Sequence, residues 1–185
     1  MKLLRLQKTI GLTIPIVYNT NSYENIETLK MLEGCIDVYL PDLKYFDDES
    51  SIKYSKVPHY FEIATNAIKE MIHQVGAPEF DENGIIKKGV IIRHLVLPSH
   101  ITETKKILEW IKLNLPKDIY VSIMAQYFPT YKAKNNDAYT ELGRTLSKRE
   151  YAMVCNMLKE IENGYIQDLE EFEEEYVPNF DLSGI

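Results

Sequence analysis

Apolar residues in this chain occur in two patterns, short continuous runs and longer stretches in which they recur every three or four positions. The short runs are rich in β-branched residues and predict strands, whereas the spaced stretches predict amphipathic helices. The predicted strands span 12–20, 35–41, 89–97 and 119–129, with a further short one at 165–167. The predicted helices span 1–10, 23–33, 48–56, 60–75, 102–115 and 147–163. Fully apolar strands that alternate with helices indicate a parallel sheet covered by helices.

Residues with strong turn or capping preferences mark several element boundaries. Asn83-Gly84 is a hairpin signal, so a short ribbon is expected ahead of the strand at 89–97. Thr102, or a residue near it, is expected to cap the helix that ends before Pro116. Ser147 has a glutamate three residues later, which predicts a capping box.

Polar residues stand at or just beyond the carboxyl ends of three of the main strands, and within the third strand at 89–97. They are Asn19 and Thr20, Asp42 and Lys44, Arg93 and His94, and Gln126 and Tyr127. In parallel sheets such residues gather along one edge, where ligands bind. Gln126 and Tyr127 are therefore expected to contact a substrate or cofactor. Loop chemistry alone would also supply some of these polar groups.

Charged residues next to apolar strands have a plain structural interpretation as well. Asp42 and Lys44 on spacing alone suit a surface salt bridge worth ~0–1 kcal/mol. Arg93 lies within an apolar strand, where an unpaired guanidinium is costly, so it needs an acidic partner or a ligand, and Asp42 is the candidate. His94 should point to the opposite face, as a packed, hydrogen-bonded histidine rather than a catalyst.

Composition narrows the class of protein. With 185 residues, 45% of them hydrophobic, the chain is long enough for one domain with a real core. A net charge of −7 with scattered basic residues argues against nucleic acid as a partner. No apolar run approaches the ~18–20 residues that span a bilayer, and no signal-peptide pattern opens the chain, so no membrane association and a cytoplasmic location are expected.

Metal-binding spacings are not found in the sequence. Cys35 and Cys155 are far apart, neither has a CxxC-type neighbour, and both suit ordinary buried thiols. The four histidines lack HxxH or HExxH spacing. Taken alone, the residues predict no metal site.

Six segments carry a family resemblance in a consistent order along the chain: IPIVYNTNSYE, IDVYLPDLKYFD, GVIIRHLVLP, VSIMAQYFPTY, YTELGRTLSKREY and YVPNFD. Through them the chain resembles radical S-adenosylmethionine enzymes of the pyruvate formate-lyase activating enzyme type. The resemblance implies an α/β fold, a partial TIM-type (β/α) barrel. About four parallel strands with covering helices and a small β-hairpin insertion are expected here.

The resemblance also implies a cofactor site. In such enzymes a [4Fe–4S] cluster on a CxxxCxxC loop reductively cleaves S-adenosylmethionine, and the resulting radical abstracts hydrogen, from a glycyl residue in the activases. Asp42 and Lys44 match an Asp-Leu-Lys motif that contacts the cofactor. Asn19 and Thr20 match an Asp-Thr-Asn-Gly turn that can bind a monovalent cation with the Asp of the next strand, and Arg93 matches an arginine near the cofactor.

The chain departs from the family pattern at several points. Asn19 stands where the family has aspartate, which removes charge from a cation site, and Ser99 stands where glycine usually follows LVLP. No CxxxCxxC loop is present, and Cys35 and Cys155 are too few and too separated to replace it. S-adenosylmethionine and [4Fe–4S] are therefore expected in a longer parent protein, and neither is expected to bind this chain alone.

These observations lead to three functional hypotheses. The first is a carboxy-terminal fragment of a radical enzyme related to glycyl-radical-enzyme activating enzymes, contributing part of the cofactor and substrate pocket and inactive without the cluster-binding part. The second is a non-catalytic binding module that pairs with a complete enzyme. The third is a remnant whose open sheet edge drives self-association.

The domain organisation and partners follow from the first hypothesis. Residues 1–185 are expected to form a single incomplete barrel domain, with an acidic tail at 168–185. Loss of the first strands would leave an open edge, so a homodimer through that edge, or its burial by the helix at 1–10, is expected. A protein or peptide substrate is a further expectation.

Overall fold

A computed structural model describes Gly11, residues 13–134 and residues 137–166. Its strands are β1 (Val17–Thr20), β2 (Val38–Pro41), β3 (Glu79–Phe80), β4 (Ile86–Leu95), β5 (Tyr120–Met124) and β6 (Gly164–Ile166). Its α-helices are α1 (Ile26–Met31), α2 (Asp48–Ser55), α3 (Tyr60–Val75), α4 (Ile101–Asn114) and α5 (Lys148–Leu158). Between β5 and α5 lie two short 3-10 helices, Tyr131–Ala133 and Asp137–Leu142.

Five of the strands form a parallel sheet in the order β1-β2-β4-β5-β6, and β3 pairs antiparallel with β4. Strands β1 and β6 are the edges of this sheet within the described residues, so the sheet is open rather than closed. The predicted α/β fold of partial-barrel type is confirmed. It has five parallel strands because the short strand expected near the end of the chain joins the sheet as β6.

Helices cover one face of the sheet. Alternate residues of the central strands point to this face and are fully buried, among them Tyr39, Ile92 and Ile123. The intervening residues point to the other face. On the two edge strands this face is accessible to solvent, because Val17 of β1 is 51% exposed and Tyr165 of β6 is 45% exposed. In the part of the chain that the structure describes, no helix has both the length and the apolar surface to cross a membrane.

Several predicted boundaries are confirmed. At the start of α5 the Ser147 hydroxyl accepts a hydrogen bond from the Glu150 backbone, and the Glu150 carboxylate accepts one from the Ser147 backbone at 2.9 Å. The ribbon of β3 and β4 turns at 81–85, where Asp81 Oδ1 accepts hydrogen bonds from the backbone N–H groups of Asn83 and Ile85. This turn places the ribbon ahead of the long strand β4, as the sequence predicted.

Other boundaries differ from the prediction. Helix α4 begins at Ile101, so Thr102 lies inside its first turn, and His100 occupies the cap position without a side-chain capping bond. The left-handed Ser99, with φ of +68°, reverses the chain just before it. Helix α5 ends at Leu158 rather than 163, because the chain must turn back there to enter β6. The helix expected at 1–10 and the acidic tail at 168–185 lie outside the described residues.

A buried carboxylate on α4 holds the loop that follows β2. Glu103 is 7% exposed, and its Oε1 accepts hydrogen bonds from the backbone N–H groups of Phe46 at 2.7 Å and Asp47 at 3.1 Å. Its Oε2 accepts one from the Ser50 hydroxyl at 2.8 Å. Asp47 is the N-cap of α2 but makes no capping bond with its own side chain. Glu103 therefore supplies the negative charge and the acceptors that the amino terminus of α2 requires.

A buried histidine holds the same loop against β4. His94 Nδ1 lies 2.6 Å from the Leu43 carbonyl oxygen, and its Nε2 lies 2.9 Å from the Thr104 hydroxyl. A carbonyl oxygen can only accept, so Nδ1 carries the hydrogen and Nε2 accepts from Thr104. Burial lowers the pKa of His94 to about 4, which keeps the ring neutral. The prediction of a packed, hydrogen-bonded histidine is confirmed.

Removing the Glu103 carboxylate should destabilise the protein strongly. In Glu103→Ala the two backbone donors and the Ser50 hydroxyl lose their acceptor in a buried position, at a cost of about 2–4 kcal/mol in the free energy of unfolding. Urea denaturation followed by circular dichroism measures this. Glu109→Ala, on the exposed side of the same helix, is the matched control and should change stability little. Equal stability of the two variants would contradict the assigned role.

The His94 ring should make stability depend on pH in a defined window. Its pKa is lowered on folding, so the unfolded chain binds the proton first, and stability falls as the pH drops from about 6.5 towards about 4. Across this pH window the free energy of unfolding falls by about 3 kcal/mol in total. His94→Asn keeps a donor for the Leu43 carbonyl but does not titrate. Between about pH 7 and about pH 5 it should lose about 2 kcal/mol less stability than the wild type. Identical pH profiles would rule the assignment out.

Candidate functional site

Four polar side chains meet at the carboxyl ends of β1, β2 and β4. Arg93 Nη2 donates to Asp42 Oδ1 at 2.7 Å and to Asn19 Oδ1 at 2.6 Å. Lys44 Nζ donates to the other carboxylate oxygen of Asp42, Oδ2, at 2.7 Å. We call these four residues the rim cluster. Asp42 is its centre, because each of its two oxygens binds a different cation.

The sheet register brings the rim cluster together. Asp42 lies beside Arg93 in a parallel bridge just past the end of β2. The backbone N–H of Asp42 donates to the Thr20 carbonyl at 2.9 Å, and that of Leu43 donates to the Arg93 carbonyl at 2.9 Å. Because side chains alternate along a strand, Asn19 points to the same face as Asp42 and Arg93. That face is the one opposite the covering helices.

The rim cluster carries an excess of positive charge in a partly buried position. Two cations and one carboxylate leave a local charge of one positive unit. The side chain of Asp42 is 11% exposed, that of Arg93 is 25% exposed and that of Lys44 is 36% exposed. Charge-assisted hydrogen bonds in such a setting favour an anionic group such as a carboxylate or phosphate.

Arg93 also has an unused donor. Among the described residues, the buried side-chain polar atoms without a hydrogen-bond partner are Arg93 Nε and Ser22 Oγ, and both belong to this edge of the sheet. Buried polar groups in native proteins are nearly always paired, so the chain itself leaves this edge of the sheet incompletely satisfied. The cluster also has the positive charge that a bound anion would use, on the partly exposed side chains of Arg93 and Lys44.

A tyrosine holds the two strand ends that form the cluster. Tyr60, at the start of α3, has its hydroxyl oxygen 2.9 Å from the carbonyl oxygens of Asn21 and Asp42, and it accepts from the Lys44 backbone N–H at 3.0 Å. Burial raises the pKa of Tyr60, so the phenol stays neutral and can donate to these carbonyls. No pattern in the sequence indicates this role, because Tyr60 cannot be distinguished there from the apolar stripe of α3.

Other residues predicted for the site lie elsewhere. Thr20 alternates to the helix-covered face, where its hydroxyl donates to Glu24 at 2.5 Å and accepts from the Ser22 backbone. The Tyr127 hydroxyl donates to the Leu142 carbonyl at 2.9 Å. Gln126 is exposed beyond the end of β5. The binding roles of all the predicted site residues remain predictions.

The residues of this chain do not suit an iron–sulfur cluster. Cys35 is buried just before β2, whereas Cys155 lies on α5, and both are free thiols. Within residues 13–134 and 137–166, no group of three or more histidine, cysteine, aspartate or glutamate side chains is placed to hold a metal ion. An iron–sulfur cluster of this kind needs several thiolates from one compact loop, and the sequence contains no such loop.

Comparisons with known proteins agree with the fold. No protein-family profile matches the chain. The uncharacterized protein MJ0674 of Methanocaldococcus jannaschii is 34% identical over 172 residues, which cover 90% of this chain and 45% of that protein, so the chain spans less than half of the relative's length. The crystal structure of a domain of pyruvate-formate lyase-activating enzyme from Bacteroides vulgatus ATCC 8482 matches with a TM-score of 0.61 at 15% identity, covering 90% of this chain and 88% of that one. This chain therefore has the fold of that domain.

Proposed function

We propose that this chain forms part of the S-adenosylmethionine and substrate pocket of a radical S-adenosylmethionine protein related to the glycyl-radical-enzyme activating enzymes. The observation that carries the proposal is the rim cluster, in which Asn19, Asp42, Lys44 and Arg93 converge at the carboxyl edge of a parallel sheet. Ligands bind at this edge in α/β folds. The likeness in fold to an activating-enzyme domain supports the same conclusion.

The chemistry of the rim cluster suits the methionyl end of this cofactor. That end carries a carboxylate and an ammonium group. Arg93 and Lys44, whose side chains are partly exposed, offer charge-assisted donors to the carboxylate. Asp42 offers an acceptor to the ammonium group. Tyr60 keeps the backbone of Asp42 and Lys44 in place while these contacts form.

The electron that cleaves the cofactor must come from outside this chain. A bound [4Fe–4S] cluster supplies that electron in such proteins, and Cys35 and Cys155 do not fit one. The role of this chain is accordingly to bind and orient, and we expect it to be inactive by itself. The rim cluster also suits a second candidate function, a non-catalytic module that binds an adenosyl ligand or a peptide carboxylate beside a complete enzyme.

Calorimetric titration with S-adenosylmethionine tests the pocket. The sequence alone predicts no binding by this chain without the cluster, but the rim cluster is already assembled here, so we now expect measurable binding by the wild type. Arg93→Gln should bind at least about tenfold more weakly, because the variant loses the guanidinium donors. Lys87→Gln removes one positive charge from the same strand outside the rim cluster and is the matched control. If Arg93→Gln and Lys87→Gln bind equally well, or if the wild type does not bind, the proposed pocket is wrong. Binding of S-adenosylhomocysteine with the same affinity would favour the non-catalytic module.

Anaerobic reconstitution with iron and sulfide tests the proposed inactivity. We expect no stoichiometric [4Fe–4S] absorption or electron paramagnetic resonance signal, because two separated cysteines cannot hold the cluster. A Cys35→Ser, Cys155→Ser double variant should retain the same low level of adventitious iron as the wild type. A full cluster signal that disappears in the double variant would overturn the proposal.

A further inference from the structure

Five tyrosine rings form a continuous chain beside the rim cluster. From the turn after β1, Tyr23 stacks on Tyr60 with ring centroids 6.4 Å apart, and Tyr60 contacts Tyr45 edge to face at 5.3 Å. Tyr45 lies 6.3 Å from Tyr54 on α2, which lies 6.1 Å from Tyr139 in the second 3-10 helix. We call these rings the tyrosine chain. Successive rings are in contact range, so an electron can pass between neighbours in short steps.

The hydroxyl groups of the tyrosine chain differ in their hydrogen-bond acceptors. Tyr23 donates to the Pro58 carbonyl at 3.2 Å, and the Tyr60 hydroxyl faces two backbone carbonyls. Tyr45 pairs with the Ser55 hydroxyl at 2.8 Å. Neither a carbonyl nor a hydroxyl takes up a proton at neutral pH. Losing an electron at these three rings therefore leaves a phenol proton with no base to receive it.

Tyr54 is different, because its hydroxyl donates to a carboxylate. The Tyr54 hydroxyl lies 2.5 Å from Glu141 Oε1, and Lys53 Nζ lies 2.6 Å from the same oxygen. Partial burial opposes ionisation of Glu141, but the hydrogen bonds from Lys53 and Tyr54 outweigh it and lower the pKa of Glu141 to about 2. Glu141 is thus an ionised base at neutral pH.

A second polar group faces the Tyr54 oxygen from another element. His100 Nε2, at the start of α4, lies 3.0 Å from it, and its ring packs edge to face on Tyr54. His100 Nδ1 lies 2.9 Å from the Pro98 carbonyl oxygen and so carries the hydrogen, which makes Nε2 of a neutral ring a second acceptor for Tyr54, more distant than Glu141. Burial, followed by the contact with Glu141, raises the pKa of Tyr54, so the phenol does not ionise by itself. An oxidation at this ring therefore does not begin with loss of the proton, which must leave with the electron or after it. The hydrogen bond to Glu141 provides the path for the proton.

We infer that Tyr54 is a redox-active residue with Glu141 as its proton acceptor, and that the tyrosine chain delivers oxidising equivalents to it. In the step, a one-electron oxidant such as an oxidising radical gains an electron from the Tyr54 ring, directly or through the neighbouring rings. The phenol proton passes to Glu141 Oε1. The products are the reduced oxidant, a neutral tyrosyl radical and a protonated Glu141.

The position of the tyrosine chain gives the redox activity of Tyr54 a protective role. Tyr60 bonds directly to the backbone of Asp42 and Lys44, so the tyrosine chain passes beside the rim cluster. An oxidising radical formed near the rim cluster would take an electron from the tyrosine chain. The oxidation would then pass from ring to ring to Tyr54 instead of damaging the cluster. This inference goes beyond the proposed function, and its test needs neither S-adenosylmethionine nor an iron–sulfur cluster.

Flash photo-oxidation with a ruthenium polypyridyl complex and persulfate tests the inference. Samples are frozen after a delay in which exposed tyrosyl radicals couple and disappear, and the remaining radical is measured by electron paramagnetic resonance. We expect a neutral tyrosyl signal in the wild type that falls severalfold in Tyr54→Phe and in Glu141→Gln. Tyr131→Phe removes an 85% exposed tyrosine outside the tyrosine chain and should keep the wild-type signal.

Two results would overturn the inference. A wild-type signal in Tyr54→Phe would show that the radical resides elsewhere, and a wild-type signal in Glu141→Gln would show that Glu141 does not take the proton. Trapping the wild-type radical with a nitroso spin trap and locating the adduct by peptide mass spectrometry keeps the test valid if a variant folds poorly. We expect the adduct on the peptide that contains Tyr54, and adducts confined to other tyrosines would contradict the assignment.

Discussion

The contact between the Asp42 carboxylate and the Arg93 guanidinium determines the character of the sheet face opposite the helices. Each group alone would be costly in its partly buried position, and together they satisfy much of each other's charge. The backbone ladder continues past β2 to place them side by side, so the pair does not depend on flexible loops for its geometry. Lys44 and Asn19 complete the cluster, and one guanidinium nitrogen is left without an acceptor.

The two faces of the sheet treat polar groups in opposite ways. On the helix-covered face, Glu103 and His94 are buried and fully hydrogen-bonded, and together they hold the loop between β2 and α2 through Leu43, Phe46 and Asp47. On the other face, the rim cluster keeps excess positive charge and an unpaired donor. Buried polar groups are fully hydrogen-bonded on one side of the sheet, whereas an unpaired donor remains on the other. This arrangement is expected where a ligand binds at the edge of a sheet.

The tyrosine chain adds a second functional arrangement at the same end of the sheet. It shares Tyr60 with the support of the rim cluster and includes Tyr54, where a carboxylate replaces the neutral acceptors of Tyr23, Tyr45 and Tyr60. The rigid packing that fixes the strand ends therefore also fixes the spacing of the rings. Structural support and electron transfer would use the same side chains, because aromatic residues combine a large packing surface with a hydroxyl that needs a partner.

The sequence alone determined the alternation of strands and helices, the parallel sheet, the hairpin and the capping box, because these depend on local periodicity and on residues close in sequence. It also indicated that Asp42 and Lys44 would stand at a strand end and that Asp42 would pair with Arg93 from the neighbouring strand. The tertiary structure alone decided that Asn19 shares their face and Thr20 does not. Asn19 and Thr20 are adjacent in the chain, but side chains alternate along a strand, so Asn19 points towards Arg93 and Thr20 towards Glu24. Contacts such as those of Glu103, Tyr60 and the Tyr54–Glu141 pair join residues far apart in sequence, and no local pattern encodes such distances.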